Sequence, residues 1–259
     1  MNYNISFLPE RLVKPRDCGF TIMTDKGLSV REAENFTEGN GPYCDFVKIA
    51  FGTSLLIPSL ESKLNIYREA GINCYFGGTL FEVFFRQNAM DDYKDYLDRF
   101  GIEFLEVSDS VIDIKREDKL SHIKQFASEF QVISQVTNYV SEGHLSFDKI
   151  INYANEELAA GAKYIIIKES KQMPLFSKDG LATYLISKEA KNRLDLDKII
   201  WDAPKKEEQI ELINLFGSNV NLCNIHHNDV IALEAKRMGL HSSTLLKLIP
   251  KAKQETDNE

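Results

Sequence analysis

A lysine lies in the middle of an apolar run, Phe46-Val47-Lys48-Ile49. Burying its ammonium group without a partner would carry a large desolvation cost. Lys48 must therefore either reach solvent past its neighbours or meet carboxylates and a bound anion inside the protein. We predict the interior position, within ion-pair distance of Asp25 or Glu106, and a catalytic role there.

Acidic side chains follow several other apolar runs and could bind a hard cation. Mg²⁺ takes oxygen ligands, mainly carboxylates. We expect this ion here as a cofactor, with one or two of the acids pairing instead with Lys26 or Lys48. The candidate ligands are Asp25, Glu82, Glu106, Asp109 and Asp202.

The segment Gly77-Gly78-Thr79 ends a third apolar run and opens a helical pattern. Backbone N–H groups at a helix start suit a phosphate or carboxylate, although a plain tight turn has the same composition. We expect a small anionic substrate, contacted also by polar residues at the ends of other runs. These are Lys26, Ser108, Gln135, Asn221 and Asn224, with Lys168, Asn138 and Tyr139 as further catalytic candidates.

The elements that must position these residues alternate along the chain. Eight β-rich runs are each followed by a stretch that includes helical periodicity, and several helices end on glycine, which stops a helix at low cost. The runs are Cys18–Thr24, Asp45–Ala50, Asn73–Phe76, Glu103–Val107, Gln131–Val136, Tyr164–Ile167, Lys198–Trp201 and Asn219–Ile225. Helical segments include Leu60–Ala70, Asp91–Phe100, Lys119–Phe130, Phe147–Ala159, Glu207–Phe216 and Asp229–Met238.

Eight such units predict an α/β fold of the TIM, or (β/α)₈, barrel type, a single domain over residues 1–250 followed by a polar tail, 251–259. The rival is a doubly wound open sheet, which often has a Gly-rich phosphate loop after its first strand. The first run here ends in Thr24-Asp25-Lys26-Gly27, without such a loop. In a barrel the working site lies at the C-terminal ends of the strands, where the residues named above are found.

Composition excludes some classes of function. The net charge of −8 argues against binding to a nucleic-acid backbone, which needs clustered Lys and Arg. No apolar run approaches the ~20 residues of a membrane helix, and no secretion signal is recognisable, so we expect a cytoplasmic protein. The four cysteines are scattered without a CxxC pair, and we expect free thiols that bind no zinc: Cys18, Cys44, Cys74 and Cys223.

Motifs spread over nearly the whole chain resemble those of the phosphosulfolactate synthase family. They are Asp25-Lys26-Gly27, Asp45-Phe46-Val47-Lys48 with Gly52-Thr53-Ser54, Gly77-Gly78-Thr79-Leu80-Phe81-Glu82, Glu106-Val107-Ser108-Asp109, Ala203-Pro204, Val220-Asn221-Leu222 and Leu233-Glu234. The resemblance implies a barrel enzyme, of the class that forms or breaks carbon–sulfur bonds, which uses Mg²⁺ to add sulfite to phosphoenolpyruvate on the route to coenzyme M. It leaves a homo-oligomer open.

The sequence departs from the family where an anion and a proton donor are expected. A Glu-Val-Gly-Lys-Lys pattern is replaced by Gln135-Val136-Thr137-Asn138-Tyr139, which removes the family's lysine pair. In a Glu-x-Arg-Glu pattern, Lys168 replaces the first acid, Ser170 the arginine and Lys171 the second acid. The glutamate that the family has after the seventh of these runs is kept only as an aspartate, Asp202.

Three readings follow from these departures. The chain is a diverged enzyme with another nucleophile or acceptor, a true synthase in which Lys168 or Tyr139 takes the missing role, or a non-catalytic barrel with a ligand-binding or stress-related role. Because neither Asn138 nor an ordinary tyrosine is an efficient acid, we expect authentic sulfite addition to be weak or absent.

Overall fold

The computed structural model describes residues 5–137, 146–168, 180–190 and 192–251, and the backbone of 139–140 and 143–144. Eight parallel strands close into a barrel with the neighbour order β1-β10-β9-β8-β5-β4-β3-β2. These strands are β1 Thr21–Asp25, β2 Phe46–Ile49, β3 Asn73–Phe76, β4 Phe104–Val107, β5 Gln131–Thr137, β8 Tyr164–Lys168, β9 Ile199–Asp202 and β10 Asn221–Ile225. A two-stranded hairpin, β6 Tyr139–Val140 and β7 Gly143–His144, follows β5. The predicted TIM barrel is confirmed.

Helices pack around the barrel between successive strands. They are α1 Val30–Asn40, α2 Leu60–Glu69, α3 Gly78–Arg86, α4 Met90–Arg99, α5 Arg116–Phe126, α6 Phe147–Ala159, α7 Leu181–Leu185, α8 Lys206–Phe216, α9 Val230–Arg237 and α10 Ser242–Leu248. Helices α1, α3, α7 and α10 were not among the helical segments listed from the sequence. Ser29 and Glu32 form a capping box at the start of α1, which fixes where this helix begins.

Two hydrophobic layers hold the fold together. One fills the barrel interior with Phe20, Ile22, Phe46, Tyr75, Phe104, Ile133, Tyr164, Ile166, Ile200 and Cys223. The larger one lies between the outer face of the sheet and the helices. Successive strand residues point to opposite faces, so a residue two positions beyond an inner-core residue also faces inward. That rule decides which strand-end side chains can reach a common site.

The N-terminal segment and the start of β10 close the end of the barrel at which the strands begin. Arg16 pairs with Asp45 at 2.7 Å, and Arg11 pairs with Glu234 at 2.9 Å. The pKa of Glu234 is lowered, because the hydrogen bond and the charge of Arg11 outweigh the effect of burial. These contacts stabilise the N-terminal end of the barrel and do not involve the C-terminal ends of the strands.

The thiols of Cys18, Cys44, Cys74 and Cys223 are free, as the sequence predicts. Among the described helices, none is both long and apolar enough to cross a membrane. The tail beyond Lys251 and the loop positions Ser170 and Lys171 lie outside the described residues.

Candidate active site

A cavity of about 130 Å³ opens at the C-terminal ends of the barrel strands. A liquid water occupies about 30 Å³, so this space suits a small ligand. Its lining includes the inward side chains that follow the inner core by two residues. These are Thr24, Lys48, Glu106, Gln135, Lys168 and Asp202. Lys26, Ala50, Phe51, Gly78, Thr79, Ser108, Ser110, Ile166, Cys223 and Asn224 complete the wall.

The Lys48 ammonium group lies in this cavity and is bonded to Glu106. Its Nζ lies 3.0 Å from Glu106 Oε1 and 2.6 Å from Oε2. The Glu106 side chain is 1% exposed and that of Lys48 is 22% exposed. Burial by itself lowers the pKa of Lys48, but the charge and hydrogen bond of Glu106 raise it overall. The predicted interior position of Lys48 is confirmed, and this lysine remains a cation at neutral pH.

Asp202 occupies the opposite part of the wall, beside Lys168. The two residues directly follow Ile167 and Trp201, which are paired in register on adjacent strands. Burial raises the pKa of Asp202, although the charges of Lys168 and Lys48 act in the other direction. This region therefore holds an acid of raised pKa next to a lysine.

A β-bulge brings Asn224 into the cavity. Thr21 pairs with Leu222 but Met23 pairs with Ile225, so β10 carries one extra residue against β1. Asn224 takes the left-handed conformation, with φ of 62°, and its side chain acts to lower the pKa of Asp202 against the effect of burial. Bulges of this kind redirect side chains next to active sites.

At the start of α3 the cavity wall is formed by the backbone of glycine residues and not by side chains. Gly77 precedes the helix, and no side chain caps its free N–H groups. A Cβ on Gly78 would lie 2.4 Å from Ser108 Cβ and 2.7 Å from Glu106 Oε1. Glycine is therefore required here for close packing, and the predicted Gly77-Gly78-Thr79 segment lies at the cavity, with Gly78 and Thr79 lining it.

Several buried polar atoms around the cavity have no hydrogen-bond partner among the described residues. They are Thr24 Oγ1, Gln135 Nε2 and, on the inner-core residue below them, the Tyr75 hydroxyl. Buried polar groups are nearly always bonded to protein, water or ligand. The Gln135 amide in particular offers an unused donor to an anion.

Four residues predicted at this site lie outside the cavity. Asp25 points away from the barrel axis, where it pairs with Lys63 at 2.8 Å and accepts a hydrogen bond from Tyr67. Asn221 lies at the other end of its strand, bonded to the backbone of Phe20, Asp197 and Ile199. Asp25 faces outward because alternate residues of a strand point to opposite faces of the sheet. Asn221 faces away from the cavity's end of the barrel because it is the first residue of β10.

Glu82 and Asp109 are also held elsewhere. The Glu82 carboxylate accepts hydrogen bonds from the loop after β4, and Asp109 Oδ1 lies 3.0 Å from Lys119 Nζ. We therefore leave Asp25, Glu82, Asp109 and Asn221 out of the ligand-contacting set. Asn138 and the Tyr139 side chain lie outside the described residues, so their assignment stays a prediction.

Some residues that line the cavity were not identified by the sequence analysis. Thr24 could have been found, since it follows the inner-core residue Ile22 by two. Ser110 and Phe51 belong to loops, and no periodic pattern indicates their position.

A larger groove of about 1040 Å³ lies at the opposite end of the barrel. Its lining is mostly apolar, and its charges include the Arg11–Glu234 pair already described. In barrels of this type the N-terminal end serves stability. The small polar cavity is therefore the candidate active site.

The sequence is similar to known proteins over most of its length. Residues 9–243 match the model of the family described as (2R)-phospho-3-sulfolactate synthase (ComA). The phosphosulfolactate synthase of Bacillus subtilis is 35% identical over 242 residues, which cover 92% of this chain and 96% of that protein. That of Methanocaldococcus jannaschii is 36% identical over 239 residues, covering 89% and 95%.

Solved structures support the architecture alone. A Bacillus subtilis HMG-CoA lyase superposes with a TM-score of 0.56 at 9% identity, covering 88% of this chain and 89% of that one. A dihydrodipicolinate synthase of Agrobacterium tumefaciens superposes at 0.52 with 11% identity, covering 88% and 76%. With eight strands, a polar cavity at their C-terminal ends and sequence relatives that match over most of its length, this chain belongs to the (2R)-phospho-3-sulfolactate synthase family.

Proposed function

We propose that this protein adds a sulfur nucleophile, sulfite or a substitute for it, to phosphoenolpyruvate or a related phosphorylated or carboxylated enol. The observation that carries the proposal is the charge of the cavity in a member of this family. Among the residues that the structure describes, Lys26, Lys48 and Lys168 line it together with two acids, Glu106 and Asp202. The excess of cations suits an anionic substrate within a protein of net charge −8.

The cations and amides would hold the substrate before any bond changes. The backbone N–H groups at the start of α3 face the cavity wall and suit a phosphate or carboxylate. The free Gln135 amide and Lys168 offer further donors from the neighbouring strands. Holding both reactants in such a small cavity supplies the proximity that a bimolecular addition needs.

In the proposed step the sulfur lone pair forms a bond to the methylene carbon of the enol. The π electrons move towards C2 and the carboxylate, where Lys48 and Lys168 would stabilise the negative charge. A proton is then delivered to C2, and we assign this transfer to Lys168. The lysine regains its proton from solvent, so that the addition consumes one proton and releases no group.

The residues present fit Mg²⁺, which the family resemblance implies. No group of three or more His, Cys, Asp or Glu side chains gathers within the part of the chain that is described. However, Mg²⁺ usually takes one or two carboxylates, with waters and substrate phosphate completing its shell. Glu106 and Asp202 would hold it. When bound, it would supply positive charge to the phosphate and the developing enolate.

A ligand screen tests the proposal. Phosphoenolpyruvate and sulfolactate, each with and without Mg²⁺, should raise the melting temperature. At about 100 times the Kd the gain is about 2.7 kcal/mol, or roughly 5–10 °C for a domain of this size. Mass spectrometry should then detect an adduct of phosphoenolpyruvate with at least one sulfur nucleophile, and Lys168→Ala should suppress it.

Sulfite itself is expected to be a poor substrate for this protein, with a turnover of phosphoenolpyruvate and sulfite below about 1 s⁻¹. The reason is the loss of the family's lysine pair at Asn138 and Tyr139 and of its arginine at Ser170. This loss removes cations that would neutralise sulfite and phosphate as they approach together, and a lysine does not replace the bidentate fork of an arginine. Phosphoenolpyruvate consumption with sulfite and Mg²⁺ measures it directly. Stabilisation by ligands without any adduct would instead favour the non-catalytic barrel, and the absence of both would refute the proposal.

Gly78→Ala is expected to impair the site more than the fold. The new methyl group would displace Ser108 or Glu106, and Glu106 holds Lys48. We expect kcat/KM for the adduct-forming reaction to fall by about 10²-fold, since small displacements of catalytic groups have effects of that size. Gly39→Ala is the matched control, because a Cβ there meets nothing within 4 Å. Equal activities of the two variants would contradict the packing argument.

A further inference from the structure

Phe51 differs in polarity from most of the residues that line the candidate active site. It follows β2, lines the cavity and is 57% exposed. Most of the other lining side chains are polar or charged, and the apolar Ile166 is only 2% exposed because it belongs to the inner core. Phe51 therefore presents an aromatic ring to solvent at the mouth of a polar cavity. Such a ring is available to a ligand that carries an apolar group.

The backbone of Phe51 is held in an unfavourable conformation. Its φ is 52°, in the left-handed region that a bulky side chain rarely adopts. The N–H group of Ala50 donates to the carbonyl group of Asp25 at 2.8 Å. Thr53 donates to the carbonyl group of Ala50 through its N–H group at 3.0 Å and its hydroxyl at 2.7 Å. Neighbouring contacts thus fix the turn, and strain enforced in this way is concentrated at ligand-binding and active sites.

The turn of Phe51 lies next to the start of α3. A Cβ on Gly77 would lie 3.0 Å from the backbone nitrogen of Phe51 and 3.1 Å from Lys48 Cε. Gly77 therefore lies against both this turn and the lysine that is proposed to stabilise the enolate. A substituent that packs on Phe51 would extend from the part of the cavity in which the proposed addition takes place.

The charge of the cavity favours a nucleophile with few negative charges. Among the described lining residues there are three lysines and two acids, and Lys48 is already paired with Glu106 at 2.6 Å. The phosphate of phosphoenolpyruvate carries about −1.5 to −2 charge, and its carboxylate adds another. Sulfite would bring a second multiply charged anion into the same space. An organic thiol, with a pKa of about 8.5, is mostly neutral at pH 7 and carries a single charge when it attacks.

We propose that the sulfur nucleophile is an organic thiol, and that Phe51 is a specificity-determining residue that packs against its carbon substituent. The inference rests on the proposed function and narrows its substrate class. The thiol loses its proton to solvent, and the thiolate forms a bond to the methylene carbon as the C2–C3 π bond breaks. C2 takes a proton from Lys168, which solvent reprotonates. The product is a thioether of phosphorylated lactate, so no oxidant or leaving group is needed.

Adduct formation by the intact protein with three nucleophiles tests the proposal: sulfite, 2-mercaptoethanol and benzyl mercaptan, each with phosphoenolpyruvate and Mg²⁺. Mass spectrometry should detect both thioethers, and kcat/KM should be highest for benzyl mercaptan, whose ring can pack on Phe51. Phe51→Ala should lower the ratio of kcat/KM for benzyl mercaptan to that for 2-mercaptoethanol about 10-fold. Leu56→Ala is the matched control, because Leu56 is 79% exposed in the same connection but is not part of the cavity lining. It should keep the wild-type ratio.

Phe51→Asn separates a role in binding from a role in stability. Asparagine adopts the left-handed conformation more readily than phenylalanine. This variant should therefore melt at a temperature no lower than that of the wild type, while it loses the same selectivity between the two thiols. A lower melting temperature with wild-type selectivity would overturn the inference.

The nucleophile series also distinguishes this inference from the proposed function. An adduct with sulfite but with neither thiol would overturn the inference and leave the proposed addition standing. A thiol adduct whose kcat/KM ratio is the same in Phe51→Ala as in the wild type would overturn the role of Phe51. The absence of every adduct would overturn the inference and the proposed function together.

Discussion

Replacing Lys48 by methionine is expected to lower kcat/KM by about 10²–10³-fold and the free energy of unfolding by about 3–5 kcal/mol. Activity falls because one of the two cations proposed to stabilise the negative charge is lost. Stability falls because Glu106, 1% exposed, keeps a charge inside the barrel without its partner at 2.6 Å. Urea unfolding and the adduct-forming assay measure the two effects on the same preparation.

The double variant Lys48→Met/Glu106→Gln separates the two effects. Removing both charges should recover most of the lost stability, since a buried ion pair is often replaceable by neutral groups. It should not recover activity. Lys94→Met is the matched control, because the Lys94–Glu129 pair at 2.6 Å is exposed and worth at most about 1 kcal/mol. A double variant as unstable as the single one would show that the pair does not act as described.

Arg237→Leu is expected to cost about 1–3 kcal/mol of stability and to leave the kinetics of the folded protein unchanged. Arg237 is fully buried and donates to the carbonyl groups of Ser218, Val220 and Phe20 at 2.8, 2.6 and 2.9 Å. The Val220 carbonyl would lose the donor described here, at a cost of about 1–3 kcal/mol, whereas the Ser218 and Phe20 carbonyls still accept from Arg11 and from the Leu222 N–H group. The cluster lies at the end of the barrel opposite the cavity, so the proposed chemistry does not depend on it.

Equilibrium unfolding of Arg237→Leu and Arg237→Lys gives the measurement. The lysine variant keeps a donor and should retain part of the stability, although it cannot reproduce the planar fork of the guanidinium group. Burial lowers the pKa of Arg237 well below its usual value, so the charge is costly by itself. A stable Arg237→Leu protein would therefore show that the cost of the buried charge outweighs the three hydrogen bonds.

The amino-acid sequence by itself determined the barrel, because eight apolar runs separated by helical segments have few other ways to be buried. It also favoured the interior position of Lys48, since an ammonium group among Phe46, Val47 and Ile49 must either reach solvent or meet an acid. The family followed from motifs spread over the chain. These features depend on local pattern and on burial, and both can be read without coordinates.

Only the tertiary structure decided which polar residues share the cavity. Thr24 faces inward and Asp25 outward, and their order depends on where strand alternation starts. Asn224 enters the cavity because a bulge in β10 shifts its register. Glu82 does not line the cavity because a loop distant in sequence binds its carboxylate through hydrogen bonds. Parity, register and loop closure are set by contacts between segments far apart in the chain, so a list of acidic residues could not predict them.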